Sequence, residues 1–532
     1  MSDRLVLEVT NNKTFFVEGG ISGELYQAFK RHLGWRPEGF HWAIRKYVEK
    51  VEAECRRKGY DAQRTEQEVE RARSWDGYQT DVCYNAGSCH CYRKKQYTHF
   101  STGLLSNARQ FLDKWGVKYE LIDARSGVPP KTLDITLSEN FEFRDYQADA
   151  RDKSCHKKRG IIKCATGGGK TAIAASVMAE LGVGPFVFYV TSIDLLTQAK
   201  ESFEAFMRQN GVPLQVGAVG GGKKDIRDIT VMTVQTAVRA LGGNYEKYDD
   251  EEGKDDETDI SDIRQDLRDL IRSAKGFMAD EVQHWAASTC QTIADASEEA
   301  YYRFGLSATP WRDLGDDIMI DACFGRPIVD ISASFLIQRG YLMKPEIFFL
   351  NVPMRGCPYS SYPKIYQFMK EHRKRNEWIV KVATNFYQKG RIPLILVKHL
   401  DHGKLLEEMI GEITPDVRFM SGKISGKKRK KHLDLMRERK GGITIATNIF
   451  DEGVDVKPLD TIVLAGSGKS QTRAHQRIGR ILRPFPSVEN NQKKNVIAID
   501  FNDEVKYLGE HADKRRAMYA SEPEFVIKDL KL

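Results

Sequence analysis

The run Gly160-Ile161-Ile162-Lys163-Cys164-Ala165-Thr166-Gly167-Gly168-Gly169-Lys170-Thr171-Ala172-Ile173-Ala174-Ala175-Ser176-Val177 decides the fold. It reads as an apolar strand, a glycine turn and a helix. Consecutive glycines let backbone N–H groups approach a polyphosphate, and a helix that starts there presents its positive end to the anion. In such a loop Lys170 reaches the β- and γ-phosphates and the Thr171 hydroxyl holds Mg²⁺. One departure from the Gly-x4-Gly-Lys-Thr form is Cys164, where that form has glycine. A plain glycine turn would look the same in isolation, so the rest of the chain has to decide.

The chain has 532 residues, enough for roughly three or four domains. Its 41% hydrophobic content supports several packed cores. No apolar run approaches the roughly 20 residues of a membrane span, and the first residues carry no apolar signal segment, so a cytoplasmic protein without membrane partners is expected. Net charge is +8, unevenly spread: residues 249 to 263 hold nine acids and one lysine, which leaves +16 on the remainder. That remainder suits a polyanionic partner, although a solvated surface explains it equally well. The nine cysteines are mostly scattered, as reduced thiols are.

Before the phosphate loop the chain has a different texture. Leu5 to Val9 and Thr14 to Val17 read as a strand pair around Asn11-Asn12. Phe40 to Arg73 reads as one or two charged surface helices, Ser106 to Trp115 as a helix and Tyr119 to Ile122 as a strand. Cys83, Cys89, His90 and Cys91 form a cluster whose spacing matches no common zinc template; it would have to recruit Cys55 or His99. Phe141 to Gln147 supplies aromatics with Arg144 and Gln147, groups able to stack on and hydrogen-bond an adenine ring; packing as a linker is the alternative.

After the loop, apolar runs alternate with helical patterns. Strands are predicted over Pro185 to Val190, Ile229 to Val234, Gly276 to Ala279 and Arg303 to Leu306, with a helix from Ile193 to Met207. The alternation predicts an α/β fold with a parallel sheet covered on both faces. Thr191-Ser192 and Thr233-Val234-Gln235-Thr236 stand at strand ends, where small polar groups either hold a sugar-phosphate backbone or cap helices. Residues 243 to 263 interrupt the sheet and read as a solvated acidic loop. Asp280-Glu281 ends a strand: Asp280 can bind Mg²⁺ through water and Glu281 can polarise an attacking water. Ser307-Ala308-Thr309-Pro310 closes the next strand.

A second sheet is predicted from Glu346 to Val352, Leu394 to Lys398, Ile443 to Ala446, Ile462 to Ala465 and Val496 to Phe501. The basic run Lys427 to Lys431 lies among these strands, and could touch phosphates or simply start a solvated helix. Ala446-Thr447 opens a loop that runs through Gly453-Val454-Asp455. Gln476-Arg477-Ile478-Gly479-Arg480-Ile481-Leu482-Arg483 lies on a helix, with Arg480 and Arg483 one turn apart on one face. Two guanidinium forks there suit the charge on a transferring γ-phosphate.

Six short motifs in this order, over about residues 140 to 505, resemble the superfamily 2 helicases. The resemblance implies two tandem RecA-like domains with ATP and Mg²⁺ between them: an N-terminal accessory domain over 1–138, a first domain over 139–335, a second over 336–505 and a C-terminal tail over 506–532. It implies that Arg144 and Gln147 recognise adenine, that Thr166, Gly167, Gly168, Gly169, Lys170 and Thr171 bind phosphates, and that Thr171 and Asp280 hold the metal. Glu281 would serve the attacking water, Ser307 and Thr309 would couple hydrolysis to motion, and Gly453 and Asp455 would complete the site. Gln476, Arg480 and Arg483 would close over the γ-phosphate. Thr191, Gln198, Thr233, Gln235, Thr236 and Thr447 would contact nucleic acid. The fourth position of the carboxylate motif is Gln283, where larger groups have Asp or His.

Within the superfamily the chain resembles phage recombination helicases of the UvsW type and XPB-like relatives, through Arg144-Asp145-Tyr146-Gln147, the Asp280-Glu281-x-Gln283-His284 form and the small N-terminal domain. There, Trp75-Asp76-Gly77, Thr102 to Leu105 and Tyr119 to Arg125 look like a duplex-contacting module, with Trp75 as a contact. This resemblance implies a DNA helicase or translocase acting on branched DNA in recombination, repair or replication, 3′ to 5′. An RNA helicase, or the duplex-translocating motor of a restriction or defence complex, is the alternative.

Overall fold

The computed structural model describes residues 4–19, 21, 23–36, 40–73, 79–83, 97–135, 143–212, 214–243, 256, 258–310, 315–422, 424, 426–447, 456, 458–466, 471–484 and 495–530. Trp75, Cys89, His90, Cys91, Gly453 and Asp455 lie outside them, as do residues 141–142 of the aromatic segment.

The first residues form a small sheet of β1 (Leu5–Val9), β2 (Lys13–Glu18), β5 (His99–Ser101) and β6 (Tyr119–Asp123), in the order β5-β2-β1-β6. β3 (Gly34–Trp35) and β4 (Gln79–Thr80) make a separate short pair. The hairpin predicted around Asn11-Asn12 is present: β1 and β2 are antiparallel, and β6 adds in parallel to β1. The charged stretch folds as two helices, Phe40–Lys58 and Ala62–Arg73. Cys83 forms an isolated antiparallel bridge with His99.

This unit is docked on the first large sheet by polar contacts. Lys13 is buried and pairs with Asp295 at 2.7 Å, while the Asn12 amide donates to the Asp295 carbonyl at 2.9 Å. Arg326 reaches back to Asn107 (2.8 Å) and Gln110 (3.1 Å). Thr102-Gly103-Leu104, expected to face a duplex, is a buried turn. Gly103 sits so close to the backbone of Asp321 and Ala322 that a Cβ could not fit, so this turn is used for docking.

The first large sheet contains β7 (Arg159–Cys164), β8 (Phe186–Val190), β9 (Gly217–Gly220), β10 (Lys223–Asp225), β11 (Ile229–Thr233), β12 (Gly276–Ala279), β13 (Tyr302–Ser307) and β14 (Pro327–Ile331). Their order is β10-β9-β11-β8-β12-β13-β7-β14, and only the β9–β10 pair is antiparallel. β8, β11, β12 and β13 are buried along their whole length, as strands of a sheet covered on both faces must be. The order positions the site. β7 and β8 follow one another in sequence but are separated by β13 and β12, so a crevice opens at the carboxyl ends of these strands. Ile161 aligns with Gly305 and Gly305 with Ala279, which brings the loops after β7, β13 and β12 out side by side.

The second large sheet has β15 (Pro345–Val352), β16 (Pro393–Leu396), β17 (Val417–Met420), β18 (Ile443–Ala446), β19 (Thr461–Val463), β20 (Val496–Asp503) and β21 (Val526–Leu530), all parallel, in the order β17-β18-β16-β19-β20-β15-β21. The α/β fold with two parallel sheets is therefore as predicted. One buried apolar cluster runs from Ile162 through Leu336 and Leu342 to Ile347 and Ile478, joining the two halves.

Two expectations change. Residues 506–532, read as a tail, supply the helix Leu508–Ala520 and the edge strand β21. Arg515 in that helix donates to both Asp500 oxygens of β20, at 2.8 and 2.9 Å, and Tyr519 adds a hydrogen bond at 3.1 Å. The buried face of this helix mixes Leu508, Ala512 and Tyr519 with the charged Arg515, so hydrophobic periodicity shows it only weakly. In the acidic stretch 243–263, read as solvated, Asp256, Thr258 and Ile260 are buried.

Candidate active site

The glycine loop leaves β7 and enters the helix Lys170–Leu181, with Gly167 and Gly169 both at positive φ. Its glycines are needed for fit as well as for backbone conformation. A Cβ on Gly168 would lie 2.5 Å from the Cys164 sulfur, and one on Gly167 would lie 2.9 Å from Leu342. Cys164 thus packs beneath the loop, and burial pushes its thiol up to about 12. Thr171 is exposed at the helix start.

The segment Arg144 to Gln147 reaches this loop directly. The Tyr146 hydroxyl donates to the Gly168 carbonyl at 2.8 Å, and the Gln147 amide donates to the same oxygen at 3.3 Å. Arg144 donates to the Tyr146 oxygen at 2.9 Å and lies 4.3 Å from the centre of the Tyr341 ring. Sequence reasoning singled out Arg144 and Gln147 but not Tyr146 or Tyr341; Tyr341 carries no motif signal.

Glu281 is the meeting point of the site. It follows β12 at φ +48, a left-handed turn that points its carboxylate back towards the loop. Lys170 stands 3.3 Å from one oxygen. The other accepts from the Gln283 amide at 2.9 Å and from the Gln476 amide, on the helix Gln471–Ile481 of the second sheet, at 3.1 Å. Burial opposes charge on Glu281, but the Lys170 ammonium and the Gln283 amide outweigh it and hold the carboxyl below its usual range. Burial likewise disfavours the Lys170 cation, and Glu281 with Asp280 more than compensates, raising it. The Glu281 amide donates to Asp280 at 3.0 Å.

Gln283 is the residue that sequence reasoning undervalued, noting it only as a departure. Its amide nitrogen serves Glu281, while its oxygen accepts from the buried Ser307 hydroxyl at 2.7 Å. The Thr309 amide in turn donates to Ser307 at 3.0 Å. The loop after β13 is thereby linked to the carboxylate through one side chain.

The arginine helix, Gln471–Ile481, comes close to the loop; Arg480 lies in its last turn, but Arg483, predicted on the same helical face, lies two residues beyond the helix end. A Cβ on Gly479 would lie 2.6 Å from that of Thr166, and the Arg483 side chain lies 3.2 Å from where a Gly167 Cβ would be. Arg480 and Arg483 are half-buried at this junction.

The residues assigned to nucleic acid fall into two groups. Gln198 is exposed. Thr191, Thr233, Gln235, Thr236 and Thr447 are buried, and the Thr233 hydroxyl accepts from the Thr236 amide as a helix cap. In the basic run Lys428, Lys430 and Lys431 are exposed, and Arg429 pairs at 2.8 Å with Asp194, on the helix that follows Thr191. Arg429 of the second half therefore faces that strand end of the first. Among the described residues no helix is long and apolar enough to cross a membrane.

Residues 140–312 match the family described as type III restriction enzyme, res subunit, and residues 374–484 match the helicase conserved C-terminal domain. The chain is similar to the "Putative DNA 3'-5' helicase Rad25" of Haloarcula marismortui, 28% identical over 360 residues covering 66% of this chain and 52% of that protein. It is also similar to the "ATP-dependent DNA helicase uvsW" of Enterobacteria phage T4, 24% identical over 476 residues covering 81% of this chain and 88% of that one. The match thus spans about half of the archaeal relative and most of the phage relative. A solved fragment of a "putative HsdR subunit of a type I restriction enzyme" from Vibrio vulnificus YJ016 shares the fold, with a TM-score of 0.54 at 20% identity over 76% of this chain and 71% of that one.

Proposed function

We propose that this chain, which carries the paired domains of a superfamily 2 helicase, is an ATP-dependent DNA helicase or translocase that remodels branched DNA. The observation that carries the chemistry is the convergence on Glu281 of Lys170 from the phosphate loop and Gln476 from the other half, at 3.3 and 3.1 Å. A lysine so close to the carboxylate has a second destination when a polyphosphate lies on the loop amides: it turns to the β- and γ-oxygens. Glu281 is then left to orient and accept a proton from the attacking water. Arg480 and Arg483 supply forked donors to the γ-phosphoryl oxygens as charge builds on them. Magnesium, when bound, would neutralise the phosphates; Thr171 and Asp280, an exposed hydroxyl and a carboxylate, are the oxygen donors that would hold it. Gln147 and Arg144 would take the adenine.

Motion would follow because the γ-phosphate contacts come from both halves. Losing that phosphate weakens the closed arrangement, and Ser307 senses the change through Gln283. The descriptions of the relatives support DNA as substrate, and that of the archaeal one supports 3′ to 5′ polarity; a role in recombination or repair in the cytoplasm, that of a bacterial host if the chain is phage-encoded, is part of the proposal. Grip on the backbone makes binding salt-sensitive and nearly sequence-independent.

Steady-state ATP hydrolysis with equal nucleotide amounts of single-stranded DNA, four-way junction DNA and RNA tests the reading. Strongest stimulation by junction DNA is expected, with Lys170→Ala and Glu281→Gln inactive. Strongest stimulation by RNA would overturn the substrate. The match to a restriction-enzyme res subunit favours a second reading, a motor that tracks along duplex without opening it; displacement of a triplex strand without unwinding would support that one.

A further inference from the structure

Among the described residues of the stretch 249–263, one acid has left the surface. The Asp256 side chain is 1% exposed. Its carboxylate accepts from the hydroxyls of Thr233 (2.5 Å), Thr236 (2.8 Å) and Thr258 (2.5 Å) and from the amides of Gly221 (3.0 Å) and Thr258 (3.2 Å). Arg239 stands 3.8 Å away, and the Asp256 amide donates to the Gln235 side chain at 2.6 Å. The surroundings are shaped around this carboxylate: at Gly220, φ +129, a Cβ would lie 2.5 Å from its oxygen. Burial opposes the anion, but the hydroxyl and amide donors prevail and hold the carboxyl at about 2.

Apart from Thr258, two residues along the same stretch, the donors come from separate parts of the first sheet: the glycine turn between β9 and β10, the end of β11, and the residues just after it. Hydroxyls, glycine amides and a guanidinium converging on one anion are the groups that proteins direct at phosphate oxygens. Thr233, Gln235 and Thr236 are also the strand-end residues assigned to nucleic acid, and all three are engaged by Asp256.

We propose that this cradle is a backbone-phosphate site of the nucleic-acid track, and that Asp256 is its built-in competitor. The inference rests on the proposed nucleic-acid function. Two anions cannot share the cradle, so DNA engages it only in the fraction of molecules from which the carboxylate has withdrawn. Apparent affinity is reduced by that fraction.

Binding of a labelled single-stranded oligonucleotide to the full chain without nucleotide decides the matter. Asp256→Asn should bind at least about fivefold more tightly than the parent, and its ATP hydrolysis should be half-stimulated at correspondingly less DNA. Asp259→Asn removes an equal charge from an exposed position of the same stretch and should match the parent. Equal or weaker binding by a folded Asp256→Asn would make Asp256 a structural anchor and overturn the proposal. Should that variant not fold, hydrogen exchange on the parent replaces it. DNA should accelerate exchange at 256–260 while Gly221 stays protected; unchanged exchange at 256–260 in a DNA-bound parent overturns the proposal. A parent that binds no DNA removes the functional reading as well, whereas binding with Asp256 unmoved removes only the competitor.

Discussion

At Gln283 one amide group satisfies two partners, the Ser307 hydroxyl and the Glu281 carboxylate. Replacing it by an apolar side chain of similar size leaves both short of a hydrogen bond, at a cost of about 1–3 kcal/mol. Gln283→Leu should therefore lower ATP turnover roughly 10- to 100-fold, with little change in KM because Gln283 is not placed on the nucleotide. The pH dependence gives a sharper check. The Gln283 amide helps hold the Glu281 carboxyl below its usual range; without it the charged form is less favoured and the pKa rises. Since the ionised carboxylate is the active form, the acid limb of the kcat profile should move to higher pH in Gln283→Leu. A limb that stays put, or moves to lower pH, would separate Gln283 from Glu281 in function.

Between elements, one close approach across the cleft is Gly479 of the arginine helix against Thr166 of the glycine loop. Only a residue without Cβ permits it. Gly479→Val should force the helix back and lower turnover at least about 10-fold, while a fluorescent ATP analogue binds within about twofold of the parent. Thr166→Gly in the same chain should recover part of the rate. Loss of nucleotide binding instead would mean that the helix supports the loop rather than the chemistry. The sequence showed this junction only in part. Residues at the ends of apolar strands were legible because a parallel sheet sends them all to one edge, and Lys170, Glu281 and Gln476 do meet. The glycine's purpose, the bridging role of Gln283 and the burial of Asp256 were not legible, because each depends on a partner distant in sequence. β17 and β21 escaped notice for a related reason: short, partly exposed edge strands carry little apolar signal of their own.

For the molecule as a whole, the N-terminal unit is held to the first sheet by apolar contact of its core with Ile318 and Ala322 and by polar contacts centred on the buried Lys13. Lys13 bonds Ser101 at 3.0 Å and Asp295 at 2.7 Å, beside the half-buried Asp81 carboxylate. Lys13→Met leaves those acids without their cation and should weaken docking by about 1–3 kcal/mol. An earlier unfolding step and faster proteolysis within residues 1–135 should appear, with DNA-independent ATP hydrolysis at the parent rate; a single unshifted transition would argue that apolar packing alone holds the unit. The strand order also bears on synthesis. All strands of the first sheet have been made once Ile331 has emerged from the ribosome. β15 forms its ladder with β21, Glu346 opposite Val526, and so keeps an open edge until the chain has been translated through Leu530. A nascent chain thus holds a finished glycine loop while the sheet behind the arginine helix still lacks a strand, and translation order itself delays assembly of the cleft.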